Sequence, residues 1–159
     1  MAVPEPSASD KAILRRSVSR VEEPLTENKR TIEEYMAGFR TTDHAAILSC
    51  LTDDIEWVIP GMFHSRGKAA FDKEIENDAF VGKPEITVTR LVEEADVVVA
   101  EGSVRTKRRG GEVLDLRFCD VFVMEAGKIR HLTSYLMELT QGAHHGSAGS
   151  KDTRAAKPG

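Results

Sequence analysis

Several residue classes are scarce in this chain, and each shortage closes off a class of function. Two cysteines in 159 residues, Cys50 and Cys119, stand far apart and in no Cys-x-x-Cys pattern. That arrangement gives no disulfide framework and no zinc finger, and it makes the cytoplasm the expected setting. Lys and Arg number 22 against 26 Asp and Glu, a net charge of -4. The cation excess needed to displace counterions from nucleic acid or an anionic membrane is missing, so neither is an expected partner. No apolar run approaches the roughly 18 residues of a membrane span. Met1 to Asp10 hold Pro, Ser and Ala where an export signal carries an apolar stretch. There is also no Gly-rich phosphate loop and no metal-ligand spacing, so no cofactor is expected. Aromatic residues make up only 6% of the chain, with Trp57 the single tryptophan.

What is present is enough for one domain with a sizeable core, 40% of the residues being hydrophobic. Residues 1–28 read as a flexible or partly helical extension punctuated by Pro4, Pro6 and Pro24, suited to docking on a partner subunit. Residues 29–140 form the domain. Residues 141–159 are small, polar and charged, and read as a disordered tail in which His144 and His145 lack companion ligands. The basic run Arg105, Lys107, Arg108 and Arg109 ends in Gly110-Gly111 and reads as a solvated hairpin tip.

Within the domain the hydrophobic period changes from helical to alternating. Thr31 with Glu34 reads as a capping box that opens a helix with Ile32, Tyr35, Met36 and Phe39 on its buried stripe. A second short helix follows Asp43, with Ala46, Ile47, Cys50 and Leu51 on one side. A strand over Ile55 to Ile59 stops at Pro60-Gly61, His64 to Gly67 read as a loop, and a third helix covers Lys68 to Asn77 with Phe71 and Ile75 inward. Four strands then alternate with short turns: Ile86 to Val92, Val97 to Thr106, Val113 to Met124 and Ile129 to Leu139. Helices first and an antiparallel meander after give an α+β fold with helices covering one sheet face.

One acid breaks this pattern. Leu114, Leu116, Phe118, Phe122 and Met124 alternate along one face of a strand, and Asp120 falls on the same face. It therefore points into the core, where an acid must be paired, hydrogen-bonded or neutral. A structural acid bonded to backbone donors and a protonated acid lining a pocket both satisfy that rule. Trp57 shares the inward parity of Ile59, as core filler or as a flat wall for a cyclic ligand. Glu101 interrupts the apolar run Val97 to Ala100, either as a second pocket acid or as a rim residue. His131 and Tyr135 take the parity opposite to Leu132, Ser134 and Leu136, which directs them to an interface.

Certain runs resemble the nuclear transport factor 2-like superfamily, and within it the SnoaL-like and ketosteroid-isomerase-like proteins. They are Tyr35-Met36-Ala37-Gly38-Phe39, Leu51 to Trp57, Gly67 to Phe71, Cys119-Asp120-Val121-Phe122 and Gly127-Lys128-Ile129, within residues 29 to 139. The resemblance implies a cone: a curved antiparallel sheet wrapped around the N-terminal helices, enclosing an apolar pocket. It implies that Asp120 matches the protonated acid of ketosteroid isomerases and Tyr35 the tyrosine that shares its hydrogen-bonding task, a chemistry taken from that enzyme. The isomerase's base, an Asp before a Pro, corresponds here to Ile59 before Pro60. Isoleucine takes no proton, and His64 near the cavity mouth is the candidate to replace it. The epoxide-hydrolase variant of the fold needs an Arg-x-Asp that Val97 to Thr106 does not offer, and an acid where Ser134 stands.

The reading is then a small-molecule pocket protein, catalytic through Asp120, Tyr35 and His64. Trp57, Ile59, Phe63, Phe118, Phe122, Leu132, Ser134 and Leu136 contact the ligand. The reaction class is cofactor-independent acid-base catalysis on a hydrophobic cyclic ketone or polyketide-like substrate through an enolate. A homodimer through the outer sheet face is expected. A non-catalytic ligand-binding or dimerisation module of the same fold is the competing reading.

Overall fold

The computed structural model describes residues 24–139; most of the extension, and the tail with His144 and His145, lie outside the described residues. Helices α1 (Glu27–Thr41), α2 (His44–Ser49) and α3 (Lys68–Ile75) accompany strands β1 (Leu51–Ile59), β2 (Phe63–Arg66), β3 (Phe80–Glu94), β4 (Val97–Arg108), β5 (Val113–Glu125) and β6 (Lys128–Glu138). The strands form one sheet in the order β2-β1-β6-β5-β4-β3. All neighbours are antiparallel except β1 and β6, which run parallel. The meander read over the last four strands is antiparallel throughout, and the parallel pair joins it to β1. Hairpin turns force antiparallel pairing only on consecutive strands, and β1 meets β6 from the far end of the domain.

The alternation of β5 is realised as read, with Leu114, Phe118, Phe122 and Met124 buried on the inner face. α1 lies across that face over β3, β4 and β6, and its stripe of Ile32, Tyr35 and Met36 is buried. The helix nevertheless starts earlier than the Thr31 capping box. Thr26 is the N-cap and accepts from the Lys29 amide, and it also bonds to Glu93 of β3. Thr31 sits in the second turn and donates its hydroxyl to Gly127 O in the β5–β6 turn at 2.7 Å. The residue types of a cap are there, but a better-placed threonine five residues earlier takes the role.

The stretch read as a loop after Pro60 is also strand. Ile59 faces Phe63 across a tight turn in which Gly61 adopts φ 77°, and β2 runs back along β1 from there. Each residue of β2 then has a definite face. Phe63 and Ser65 stand level with Ile59 and Trp57 and turn inward; His64 and Arg66 turn outward beside Val58 and Glu56.

At Gly102 the neighbouring strands β3 and β5 leave no room for a side chain. A Cβ there would lie 2.1 Å from the Thr87 carbonyl oxygen and 2.6 Å from the Phe118 ring. Gly102→Ala is therefore expected to cost about 3 kcal/mol in urea unfolding and to push Phe118 off its seat. A cost below about 1 kcal/mol would show that the strands part easily at this point.

Candidate functional site

The inner face brings Asp120 and its neighbours together by ladder register. Asp120 pairs with Ala100 of β4 on one side and with Ser134 of β6 on the other. Beyond β6, Ile59 and Trp57 of β1 follow on the same face, since Trp57 pairs with inward Leu132. Over this row lies an aromatic cluster. Tyr35 meets Phe39 at 5.0 Å, Phe122 at 5.5 Å and Phe71 at 6.3 Å between ring centroids. Trp57 stacks on Phe71 at 4.8 Å and takes Phe63 edge-on at 5.0 Å. Six rings from α1, α3, β1, β2 and β5 thus wall one region of a chain with few aromatics.

Asp120 remains part-exposed as a residue, yet its Oδ1 is out of contact with water and has no hydrogen-bond partner. Burial is the main reason its pKa rises to about 6, and the neighbouring Ser134 hydroxyl across the ladder works in the opposite direction. Among the described residues no positive side chain contributes to holding its charge. Tyr35, 3% exposed, has its phenol pKa driven up first by burial and then by the negative charge of Asp120 and of Cys50. It is a neutral hydroxyl at any physiological pH. Ser134 is buried, and its Oγ accepts a hydrogen bond from Trp57 Nε1 at 3.0 Å. An acid that exchanges its proton near neutrality, beside a neutral phenol in apolar surroundings, is equipped to move one proton and to stabilise one oxyanion.

The expected site residues divide. Tyr35, Ile59, Phe118, Phe122 and Leu132 are buried on the inner side, and Trp57 and Phe63 are partly buried there. Leu136 has the same parity but is 43% exposed, at the open end of β6. His64 is not among them. Its Nε2 lies 3.1 Å from Glu56 Oε2 on the outer face, in a cluster with Arg66 Nη2 at 3.0 Å from Glu56 Oε1 and His131 Nδ1 at 4.0 Å from Glu56 Oε2. The reason is the hairpin: in a loop His64 could have turned either way, but as the partner of Val58 it is committed to the side away from Asp120. Glu101 is likewise an outer residue, paired with Arg90 at 3.2 Å.

Phe71 and Phe39 were legible only as helix stripes, and the structure makes them walls of the site. Their signal was the scarcity of aromatics, which left few other rings to surround Trp57. Among the described residues no cluster of three or more His, Cys, Asp or Glu is placed to hold a metal, and no helix is long and apolar enough to cross a membrane.

A family model described as a SnoaL-like domain matches residues 32–132. Among solved structures, TerC, co-crystallised with polyporic acid, is 25% identical with a TM-score of 0.63, over 69% of this chain and 90% of that one. A candidate SnoaL-like polyketide cyclase from Shewanella putrefaciens is 11% identical with a TM-score of 0.63, over 71% of this chain and 91% of that one. An epoxide hydrolase from M. tuberculosis, like the limonene-epoxide-hydrolase type, is 18% identical with a TM-score of 0.62, over 70% and 83%. The last two share the fold alone. No curated protein matches the sequence. The match over residues 32–132, on a curved six-stranded sheet closed by three helices, makes this chain a member of the SnoaL-like domain family within the nuclear transport factor 2-like superfamily.

Proposed function

We propose that the protein carries out cofactor-independent acid-base catalysis on a small hydrophobic ketone, cyclic or polyketide-like, by way of an enolate. The observation that carries this reading is Asp120 Oδ1, buried, unpartnered and set among aromatic walls. With His64 turned outward and isoleucine at position 59, Asp120 itself serves as the proton carrier. Its carboxylate takes the proton from the carbon next to the carbonyl, and that C–H electron pair becomes the enolate. Tyr35 donates its hydroxyl hydrogen to the developing oxyanion. Asp120 then returns the proton to product. A pKa of about 6 leaves the carboxylate dominant at pH 7 while keeping the acid form within reach. TerC having been crystallised with polyporic acid supports a small organic ligand as the occupant.

Substituted phenols imitate the enolate and test the site, with Trp57 fluorescence as the readout. Saturable binding that weakens about tenfold in Tyr35→Phe is expected, the cost of a hydrogen bond to a charged group, whereas Asp120→Asn, which removes the carboxylate's repulsion of the phenolate, should bind at least as tightly as the wild type. Absence of saturable binding would instead favour a non-catalytic module of this fold. Ile59 at the usual place of the base and the dense packing of Phe71 against Trp57 are the observations on that side.

The proposed partner is a second copy, docked through the outer sheet face. Tyr135 and Met137 on that face are 54% and 67% exposed, and Val92 is 50% exposed. Sedimentation of the wild type is expected to give a dimer that Tyr135→Glu dissociates. A monomer at every concentration would exclude it. The compartment we propose is the cytoplasm, where the two free cysteines would stay reduced.

A further inference from the structure

An indole N–H donates and never accepts, so in the 3.0 Å contact between Trp57 Nε1 and Ser134 Oγ the serine oxygen is the acceptor. Ser134 keeps a single hydrogen to donate. The residue is 4% exposed, so bulk water does not compete for that hydrogen, and its partner across the ladder is Asp120. Trp57 cannot easily swing away, because it is stacked on Phe71 and flanked edge-on by Phe63 and Phe39. From this geometry we propose that Trp57 and Ser134 are positioning residues for Asp120. The indole locks the serine rotor so that its hydroxyl hydrogen points at the carboxyl.

The inference rests on the reading of Asp120 as the proton carrier and gives Ser134 a different task from ligand contact. Burial alone drives Asp120 toward the neutral form, and a neutral acid removes no proton from a substrate. The Ser134 hydroxyl, directly across the ladder from Asp120, opposes that drift. Few other groups can do so. The side chains facing Asp120 on its inner side are Tyr35 of α1, Ala100 of β4 and Ser134 of β6, with Trp57 of β1 behind Ser134 and Cys50 near Tyr35. Glu56, His64, His131, Arg90 and Glu101 lie on the outer face, and Cys119 points there from the adjacent position on β5. The relay is therefore the local means of keeping this acid ionisable near pH 7.

The test needs no substrate, because the sole tryptophan is itself a member of the relay. Its fluorescence, followed from pH 4 to pH 8 in the free protein, is expected to show a step with its midpoint near 6 that disappears in Asp120→Asn. In Ser134→Ala the midpoint should rise by about one pH unit, and Ser134→Thr, which keeps a hydroxyl, should bring it back. An unmoved midpoint in Ser134→Ala, or no step that depends on Asp120, would overturn the proposal. Should Ser134→Ala fail to fold by circular dichroism, the carboxyl 13C signal of Asp120 in Trp57→Phe decides instead. A midpoint above that of the wild type supports the relay, and a coincident one refutes it. Failure of phenol binding with the relay step intact would count against the catalytic reading; phenol binding with no relay step would count against the relay.

Discussion

Asp120→Asn is expected to make the protein more stable at pH 7, by about 2 kcal/mol, while abolishing its chemistry. A carboxyl whose pKa is about 6 folded and 3.8 unfolded binds its proton more tightly in the native state. Stability is therefore full below pH 4, falls as the pH rises from about 4 to 6, and stays reduced above. The difference in pKa corresponds to about 3 kcal/mol. Asparagine removes the charge but brings an amide that must find partners where Oδ1 has none, which takes back part of the gain. Urea unfolding of both proteins at pH 4 and pH 7 checks this, since titrations common to both cancel in the comparison. The two curves should nearly coincide at pH 4 and separate at pH 7. Equal separation at both pH values would mean that Asp120 does not carry a buried charge. A side chain that destabilises the fold wherever it is ionised is accounted for by use, as strained or desolvated groups generally are. In step with that, turnover of any substrate found should fall by about 10²–10⁴ in the same variant.

Phe71→Ala is expected to cost about 3–5 kcal/mol, a large part of the stability of an ordinary small domain. Phe71 is fully buried on α3 and is the ring against which Tyr35, Phe39 and Trp57 all pack. Removing it leaves a void that β1 cannot close, because Trp57 is held to β6 through Ser134. Denaturant unfolding should show the loss, and Trp57 emission should shift to the red as its stacking face is uncovered. A loss under about 1.5 kcal/mol with unchanged emission would show that the surrounding rings collapse into the gap. That outcome would also remove the argument that these rings hold the Asp120 site in shape.

Much of this was written in local patterns. The period-2 alternation of Leu114 to Met124 determined that Asp120 faces inward, because strand geometry leaves a residue only two faces to choose from. The 3.6-residue stripes determined which sides of α1 and α3 are buried, and the Tyr35 and Phe71 rings follow from them. The same local logic placed Arg90 and Glu101 on one strand each without saying that they pair. What local patterns could not supply was register between distant strands. The sharp turn at Pro60-Gly61 was visible, but only pairing of β2 with β1 turned His64 out and Phe63 in. The Trp57–Ser134 bond joins residues 77 positions apart across the one parallel pair of strands, β1 and β6, which no turn signal specifies. A residue's own neighbours decide which face it takes; which side chains meet it there is decided by the sheet as a whole, because cross-strand contacts exist only once the chain has closed on itself.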